Sequence, residues 1–344
     1  MKAKEKLILE EYNEQVDDFK KLEKKVLKIL QKIVKDSNVR VYEINHRIKE
    51  KESLVGKLER KGDKYTSLSD ITDILGFRIV CFFSDDVDVL AKKIESQMEI
   101  DWDESIDKRK FLNTNSFGYL SVHYICISEN KRFEIQMCSL LQHVWAMMEH
   151  DLGYKTKFGV PAAVSRDFSR LAGLLEIADE HFIRIRDNVA NYTEKVHQKI
   201  VNDDAGDIAI DSVSLDEYMC YSKNMRAFLQ SIANMTEAEI SDETADNYID
   251  QLAWFGIKTL GDLQNMLLEN SSLAFQMARN TLAITDLDIL SSSVALRFLC
   301  HAELINKKYT EREMIDFFKL TMKSQDRATR YAKELIKNYS EEKL

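Results

Sequence analysis

The chain has 344 residues, 44% of them hydrophobic, and a formal net charge of −9. This length and apolar fraction suit one large folded domain or two ordinary ones and exclude a disordered polymer. Residues 201–300 hold sixteen Asp and Glu against five Lys and Arg, while the first 200 residues are near neutral. A phosphate-tracking nucleic-acid surface is therefore excluded from the acidic stretch, and anionic ligands are expected in the N-terminal half.

Residues 3–35 place Phe19, Leu22, Val26, Ile29 and Ile33 at helical spacing among Lys and Glu, which predicts a long amphipathic helix. Residues 42–49 then alternate, with Tyr42, Ile44, His46 and Ile48 on one side, so a strand is expected to carry Arg47 and Lys49 on its polar face. Ser53 is the expected cap of a short helix that ends near Gly62 and projects Lys57. The β-rich run 76–83 predicts a strand, and Asp85 and Asp86 open a helix to about Ser96. Two more strands are expected at 119–128 and 131–137, joined by the turn Ser128-Glu129-Asn130-Lys131, followed by a helix from Ser139.

From Val164 onward the pattern is helical. Its first stripe is Leu171, Leu174, Leu175, Ala178, Phe182 and Ile185, and no later segment alternates like a strand. The expected organisation is an N-terminal helix (1–37), an α+β core of mixed sheet with flanking helices (38–158) and a helical extension packed on that core (159–200). A polar linker (201–213) and an all-helical C-terminal domain (214–344) follow. The core is expected to end near Gly159, just before Pro161, the single proline.

No apolar run of about eighteen residues marks a membrane span, and the N-terminus lacks a signal-peptide core, so a cytoplasmic protein without membrane attachment is expected. Cys81, Cys126, Cys138, Cys220 and Cys300 are scattered without a CxxC pair and read as reduced structural thiols. Trp254 and Phe255, within a helical hairpin pattern at 252–270, read as core anchors. Helical regions of this kind are also candidates for contacts between copies of the chain.

The chemistry is concentrated upstream. In a strand at 119–128, Tyr119, Ser121 and His123 share one face, and on the next strand Glu134 and Gln136 do the same. A carboxylate in mid-strand is most often paired with an arginine. Here Asp73, placed before a glycine and a strand, supplies a second carboxylate able to meet Glu134 around Mg2+, a cation that prefers oxygen ligands and shares them with phosphates. His143 and His150 share a helix face, but no third ligand of suitable spacing accompanies them, so zinc is set aside.

Four ordered segments, RIKEKES (47–53), DITDILGFRIV (70–80), FGYLSVHYICI (117–127) and FEIQMCSLLQHVWAMMEHDLGYK (133–155), resemble the synthetase core of RelA/SpoT-type alarmone synthetases. The resemblance covers about residues 38–158. It implies a nucleotidyltransferase-like core that moves the β,γ-pyrophosphate of ATP to the 3'-hydroxyl of GDP or GTP, making the stringent-response alarmone guanosine tetra- or pentaphosphate. By the same resemblance Asp73 and Glu134 hold Mg2+, with Glu134 also the candidate base. Arg47 and Arg78 sandwich the adenine, and Lys49, Ser53 and Lys57 bind the ATP phosphates. Tyr119 stacks on the acceptor base, with His123 and Gln136 on the acceptor side and Lys108, Arg109 and Lys110 near the acceptor phosphates.

The chain departs from the family in reading EIQMCS for EIQIRT and FGYLSVH for NGYRSLH. Cys138, Phe117 and Leu120 thus replace polar or cationic residues expected near the acceptor, while Met137 stands for an isoleucine. These changes leave a toxic relative that pyrophosphorylates the 3'-end of tRNA as an alternative, with the C-terminal region as a fused neutralising or sensing module. A catalytically silent nucleotide sensor is the other alternative. About forty mostly helical residues precede the core, so the hydrolase half of long relatives, and hydrolysis of the product, are not expected.

Overall fold

The structure is a computed structural model that describes residues 3–61, 64–110, 118–153, 161–282, 285 and 287–339. The expected helix end near Gly62, the core end near Gly159 and the position of Phe117 lie outside the described residues. The chain divides into two compact units, Met1–Asp187 and Asn188–Leu344.

In the first unit, α1 (Ala3–Ser37) precedes β1 (Val41–Ile48), α2 (Lys51–Lys61), β2 (Leu75–Cys81) and α3 (Asp86–Gln97). Then come β3 (Glu99–Asp107), β4 (Val122–Ser128), β5 (Lys131–Ser139), α4 (Leu140–Met148) and α5 (Ala162–Val201), whose last part belongs to the second unit. The strands form one mixed sheet in the order β1-β2-β5-β4-β3, with only β2 and β5 parallel. Alternation divides its faces: Phe77, Ile79, Phe133, Ile135 and Met137 lie in a core with Leu22, Val26, Leu30 and Ile33 of α1 and Leu90 and Ile94 of α3. Each such side chain stabilises the unit by about 1.5–3 kcal/mol through burial, before the entropy of ordering it is set against that gain.

Several expectations are corrected. Glu99–Asp107 forms an edge strand that its acid-rich sequence conceals, with a bulge in its pairing to β4 between Asp101 and Ile106. β4 begins at Val122, so Tyr119 precedes the strand rather than standing in it. Ser53 is the third residue of α2, not its cap.

The stripe expected to pack α5 on the core instead stands exposed, at 51% for Leu171, 62% for Leu174, 53% for Phe182 and 56% for Ile185. Another face of the helix makes the contacts. Ala172 and Asp179 are buried, Asp179 accepts a hydrogen bond from Ser139 Oγ at 2.6 Å, and Arg186 pairs with Asp85 at 2.7 Å.

The second unit contains α6 (Ser212–Tyr221), α7 (Lys223–Thr236), α8 (Ile249–Trp254), α9 (Leu260–Leu282), α10 (Val294–Asn306), α11 (Glu311–Lys319) and α12 (Gln325–Tyr339). It is not purely helical: β6 (Glu239–Ser241) and β7 (Ile289–Ser291) pair in parallel, each too short for alternation to betray it. The division into units falls inside α5, whereas 201–213 was the expected linker. That segment is tied down, with Ile210 N–H donating to Lys258 O, Leu260 N–H to Ile208 O, and Gly261 N–H to Gly206 O. A Cβ on Gly261 would lie 2.7 Å from the Gly206 carbonyl oxygen, so glycine is required at this approach. Trp254 and Phe255 pack together and against Tyr309 and Phe317 around the unit's own core.

Candidate active site

The sheet face opposite the core carries the polar residues. Register sets them side by side: Arg47 pairs with Gly76 and Gly76 with Glu134, while Asn45 pairs with Arg78, Arg78 with Gln136, and Gln136 with His123. A cavity of about 350 Å3 opens there, bordered by Arg47, Asp73, Arg78, Glu134 and Gln136. Gly76 forms part of its floor, and a Cβ there would meet nothing within 4 Å, so the space beside Arg47 and Glu134 is open.

Asp73 sits just before β2 and faces two cations, Lys57 Nζ at 2.7 Å and Lys49 Nζ at 3.0 Å. Backbone geometry brings these together. Lys49 N–H donates to the Ile74 carbonyl at 2.7 Å, and α1 braces the same point, since the Tyr12 hydroxyl donates to the Lys49 carbonyl at 2.8 Å. Burial works to raise the Asp73 carboxyl, but the Lys57 hydrogen bond and both lysine charges outweigh it and hold its pKa below the ordinary value. The same contact raises the Lys57 ammonium against its burial.

Glu134 belongs to a second network. Its Oε1 lies 2.8 Å from His123 Nδ1, and its Oε2 accepts from Gln136 Nε2 at 2.9 Å. Gln136 Oε1 in turn accepts from Arg78 Nη2 at 2.9 Å, and His123 Nε2 lies 2.7 Å from Ser121 Oγ. Burial pushes the Glu134 carboxyl up and the charge of Asp73 adds to that push. The His123 and Gln136 contacts prevail, so the group stays ionised below the usual carboxylate range. With an ionised Glu134 accepting at Nδ1–H, a neutral His123 must accept from Ser121 at Nε2.

Tyr119 lies against this chain from the side. Its ring is stacked on Trp145 of α4 (centroids 6.3 Å apart, planes 10° apart), meets His123 edge-on, and has Lys108 Nζ 5.4 Å over its face. Its hydroxyl is buried near Cys138 without a hydrogen-bond partner among the described residues, and burial raises its pKa. Burial also lowers the Lys108 ammonium, with the charge of Glu134 acting in the opposite direction.

The remaining predicted residues are less closely grouped. Ser53 is exposed on α2, one turn before Lys57. Arg109 is engaged by Asp107 and Asp88, and Lys110 is 77% exposed, 3.6 Å from Asp107. Met137 lies in the core, since strand alternation turns it away from Glu134 and Gln136, whereas Cys138, at the position of the family's arginine, is buried beside the Tyr119 hydroxyl.

Two residues had no predicted role. Ser121 is fully buried behind His123, and its place two residues before that histidine was the available signal. Trp145 backs Tyr119 and donates Nε1–H to the Phe168 carbonyl at 3.0 Å, a long-range contact that local spacing does not encode.

Asp73 and Glu134 are hard oxygen donors bordering one cavity, with mutual charge repulsion between them, a combination suited to Mg2+ shared with phosphates. Among the described residues no cluster of three or more His, Cys, Asp or Glu forms a protein-only metal cage. Two carboxylates are fewer than a dedicated cage needs but enough for Mg2+ that also coordinates substrate and water.

Residues 46–158 match the family model described as a region found in RelA / SpoT proteins. Over 155 residues the chain is 26% identical to the GTP pyrophosphokinase YjbM of Bacillus subtilis strain 168 and 28% identical to the GTP pyrophosphokinase YwaC of the same strain. Each alignment covers 42% of this chain and 72% of the relative. The solved small alarmone synthetase 1 of Bacillus subtilis overlays 53% of this chain and 99% of its own, at 22% identity and a TM-score of 0.44.

Proposed function

We propose that the first unit transfers the β,γ-pyrophosphate of ATP to the 3'-hydroxyl of GDP or GTP. The observation that carries this reading is the single cavity bordered by Arg47, Arg78, Asp73 and Glu134, with Lys49 and Lys57 beside Asp73. Planar guanidinium groups suit a purine base, and the two ammonium groups suit a polyphosphate.

In this reading the acceptor oxygen forms a bond to the β-phosphorus, the bond from that phosphorus to the bridging oxygen of the α-phosphate breaks, and AMP leaves. Glu134, ionised and fixed by His123 and Gln136, takes the hydroxyl proton. Lys49 and Lys57 exchange Asp73 for phosphate oxygens and neutralise the moving charge. Mg2+, held by Asp73 and Glu134, would supply further charge neutralisation at the phosphates. Tyr119 supports the acceptor base on the ring face away from Trp145, with Lys108 alongside.

The second unit regulates or assembles the synthetase in this reading, since the residues matched to the reaction all precede it. Association of copies through helical regions is part of the same proposal, and the exposed stripe of α5 supports it. No described helix is long and apolar enough to cross a membrane.

The test is incubation of the purified chain with Mg2+, γ-labelled ATP and GDP, GTP or deacylated tRNA. Label in GDP or GTP is the expected result. Label confined to tRNA makes the chain a tRNA pyrophosphotransferase, and nucleotide binding without any transfer makes it a sensor.

A further inference from the structure

The C-terminal unit contains a cavity of about 690 Å3 between α8 with its preceding turn, the start of α10, and α11 with α12. Volumes of roughly 300–1,000 Å3 are those of small-molecule sites. Most of the lining is polar, and part of the wall is aromatic. Phe317 and Phe318 are 2% and 3% exposed, Tyr331 lies 5.9 Å from Phe318, and the His301 ring is 5.5 Å from Phe318, edge-on.

The charged groups around this cavity make no ion pairs with one another among the described residues, and both carboxylates are exposed to solvent. Arg297, half-buried one helical turn before His301, lies 5.7 Å over the Phe298 ring, and its guanidinium has no hydrogen bond or ion pair among the described residues. Asp246 and Asp250 border the same cavity, and their side chains also lack such partners among the described residues. Burial, reinforced by the charge of Arg297, lowers the His301 pKa to about 3, so the imidazole is neutral at ordinary pH and adds no second cation. One cation among two carboxylates on the lining disfavours a di- or triphosphate, and the aromatic part of the wall is poor company for a bare metal ion. A ligand carrying both charges on an apolar body complements all three features.

We propose that this cavity binds a free α-amino acid with an aromatic or large aliphatic side chain. The carboxylate pairs with Arg297, whose planar fork matches it, and the ammonium group is held by Asp246 and Asp250. The side chain packs on Tyr331 and on the edge of the aromatic cluster that Phe317 and Phe318 form beneath it. The volume admits the largest such side chain, an indole. This site stands on residues of the second unit alone and does not depend on the transferase reading.

The test is calorimetric titration of the full chain with L-tryptophan, L-phenylalanine and L-leucine, beside tryptamine, indole-3-propionate, ATP and GDP. Saturable binding of at least one amino acid is expected. Loss of either charge from the ligand, or Arg297→Gln in the protein, should weaken binding roughly tenfold or more, because each removes a charge-assisted contact. ATP binding should be unchanged by Arg297→Gln. In the wild-type chain, amino-acid binding should slow hydrogen exchange in residues 246–251 and 293–301, a readout that stands if the variant fails to fold. The proposal is overturned if no amino acid binds at millimolar concentration, if tryptamine binds as well as tryptophan, or if exchange slows only in residues 41–153.

Discussion

The two units treat charge in opposite ways. Around the first unit's cavity both carboxylates are engaged, Asp73 by Lys49 and Lys57 and Glu134 by His123 and Gln136, so folding itself aligns and ionises them. Around the second unit's cavity Arg297, Asp246 and Asp250 remain without such partners among the described residues. Groups that must act on a developing charge gain from being fixed beforehand, whereas groups that only hold a ligand are free to wait for it.

The comparison assumes two independent cores, and that assumption is the first to break. Ile135→Ala and Leu299→Ala each remove a fully buried side chain and should cost about 2–5 kcal/mol. Hydrogen-exchange protection should fall mainly within residues 3–187 for the first and 188–339 for the second. Equal loss across the whole chain in either variant would merge the two units into one cooperative body.

Next in size is the chemistry of the fixed carboxylates. Asp73→Asn and Glu134→Gln should each lower pyrophosphate transfer by roughly a hundredfold or more while the circular-dichroism spectrum is kept. Near-normal turnover in either folded variant would remove that residue from the reaction. Tyr119→Ala should weaken acceptor use by about 1–3 kcal/mol, with a smaller effect on ATP affinity, as expected for a lost stacking surface. Arg78→Ala should show the reverse preference. Titrations in which Tyr119→Ala chiefly loosens ATP would exchange the two nucleotide positions.

The smallest effect sharpens the comparison within the first unit. Asp179 is a buried carboxyl with Ser139 Oγ donating to it, and burial raises its pKa from 3.8 to about 6. A raised folded pKa means that its stabilising contribution is complete below about pH 4 and is lost as pH climbs through 6. Asp179→Asn keeps an acceptor for Ser139 and removes the buried charge, so its melting temperature should exceed the wild type at pH 8 but not at pH 4. A rise of equal size at both pH values would attribute the effect to something other than ionisation.

The placing of the candidate residues was legible where they lie close together in sequence. Alternation put Arg47 and Lys49 together and Glu134 with Gln136, whereas Arg78 was singled out only by the family resemblance. Long-range pairing was not readable: the Trp145 ring behind Tyr119 and the two lysines converging on Asp73 depend on the fold. β3 was hidden because its acidic residues suit a solvated edge and carry little intrinsic strand preference. α5 was recognised as a helix, but an apolar stripe does not name its neighbour, and here the face through Ala172, Asp179 and Arg186 makes the contacts. The C-terminal cavity draws its residues from separate helices, so no local motif announced it.

The turn between β4 and β5 has a consequence for which face each strand residue takes. Glu129 and Asn130 both have positive φ, 52° and 57°, and Ser128 pairs with Lys131 across them in a two-residue reversal. A one-residue slip of the register that this reversal sets would turn every side chain of one strand to the opposite face, carrying Glu134 into the oily layer and Ile135 to the open side. The turn therefore works as an indexing pin for Glu134.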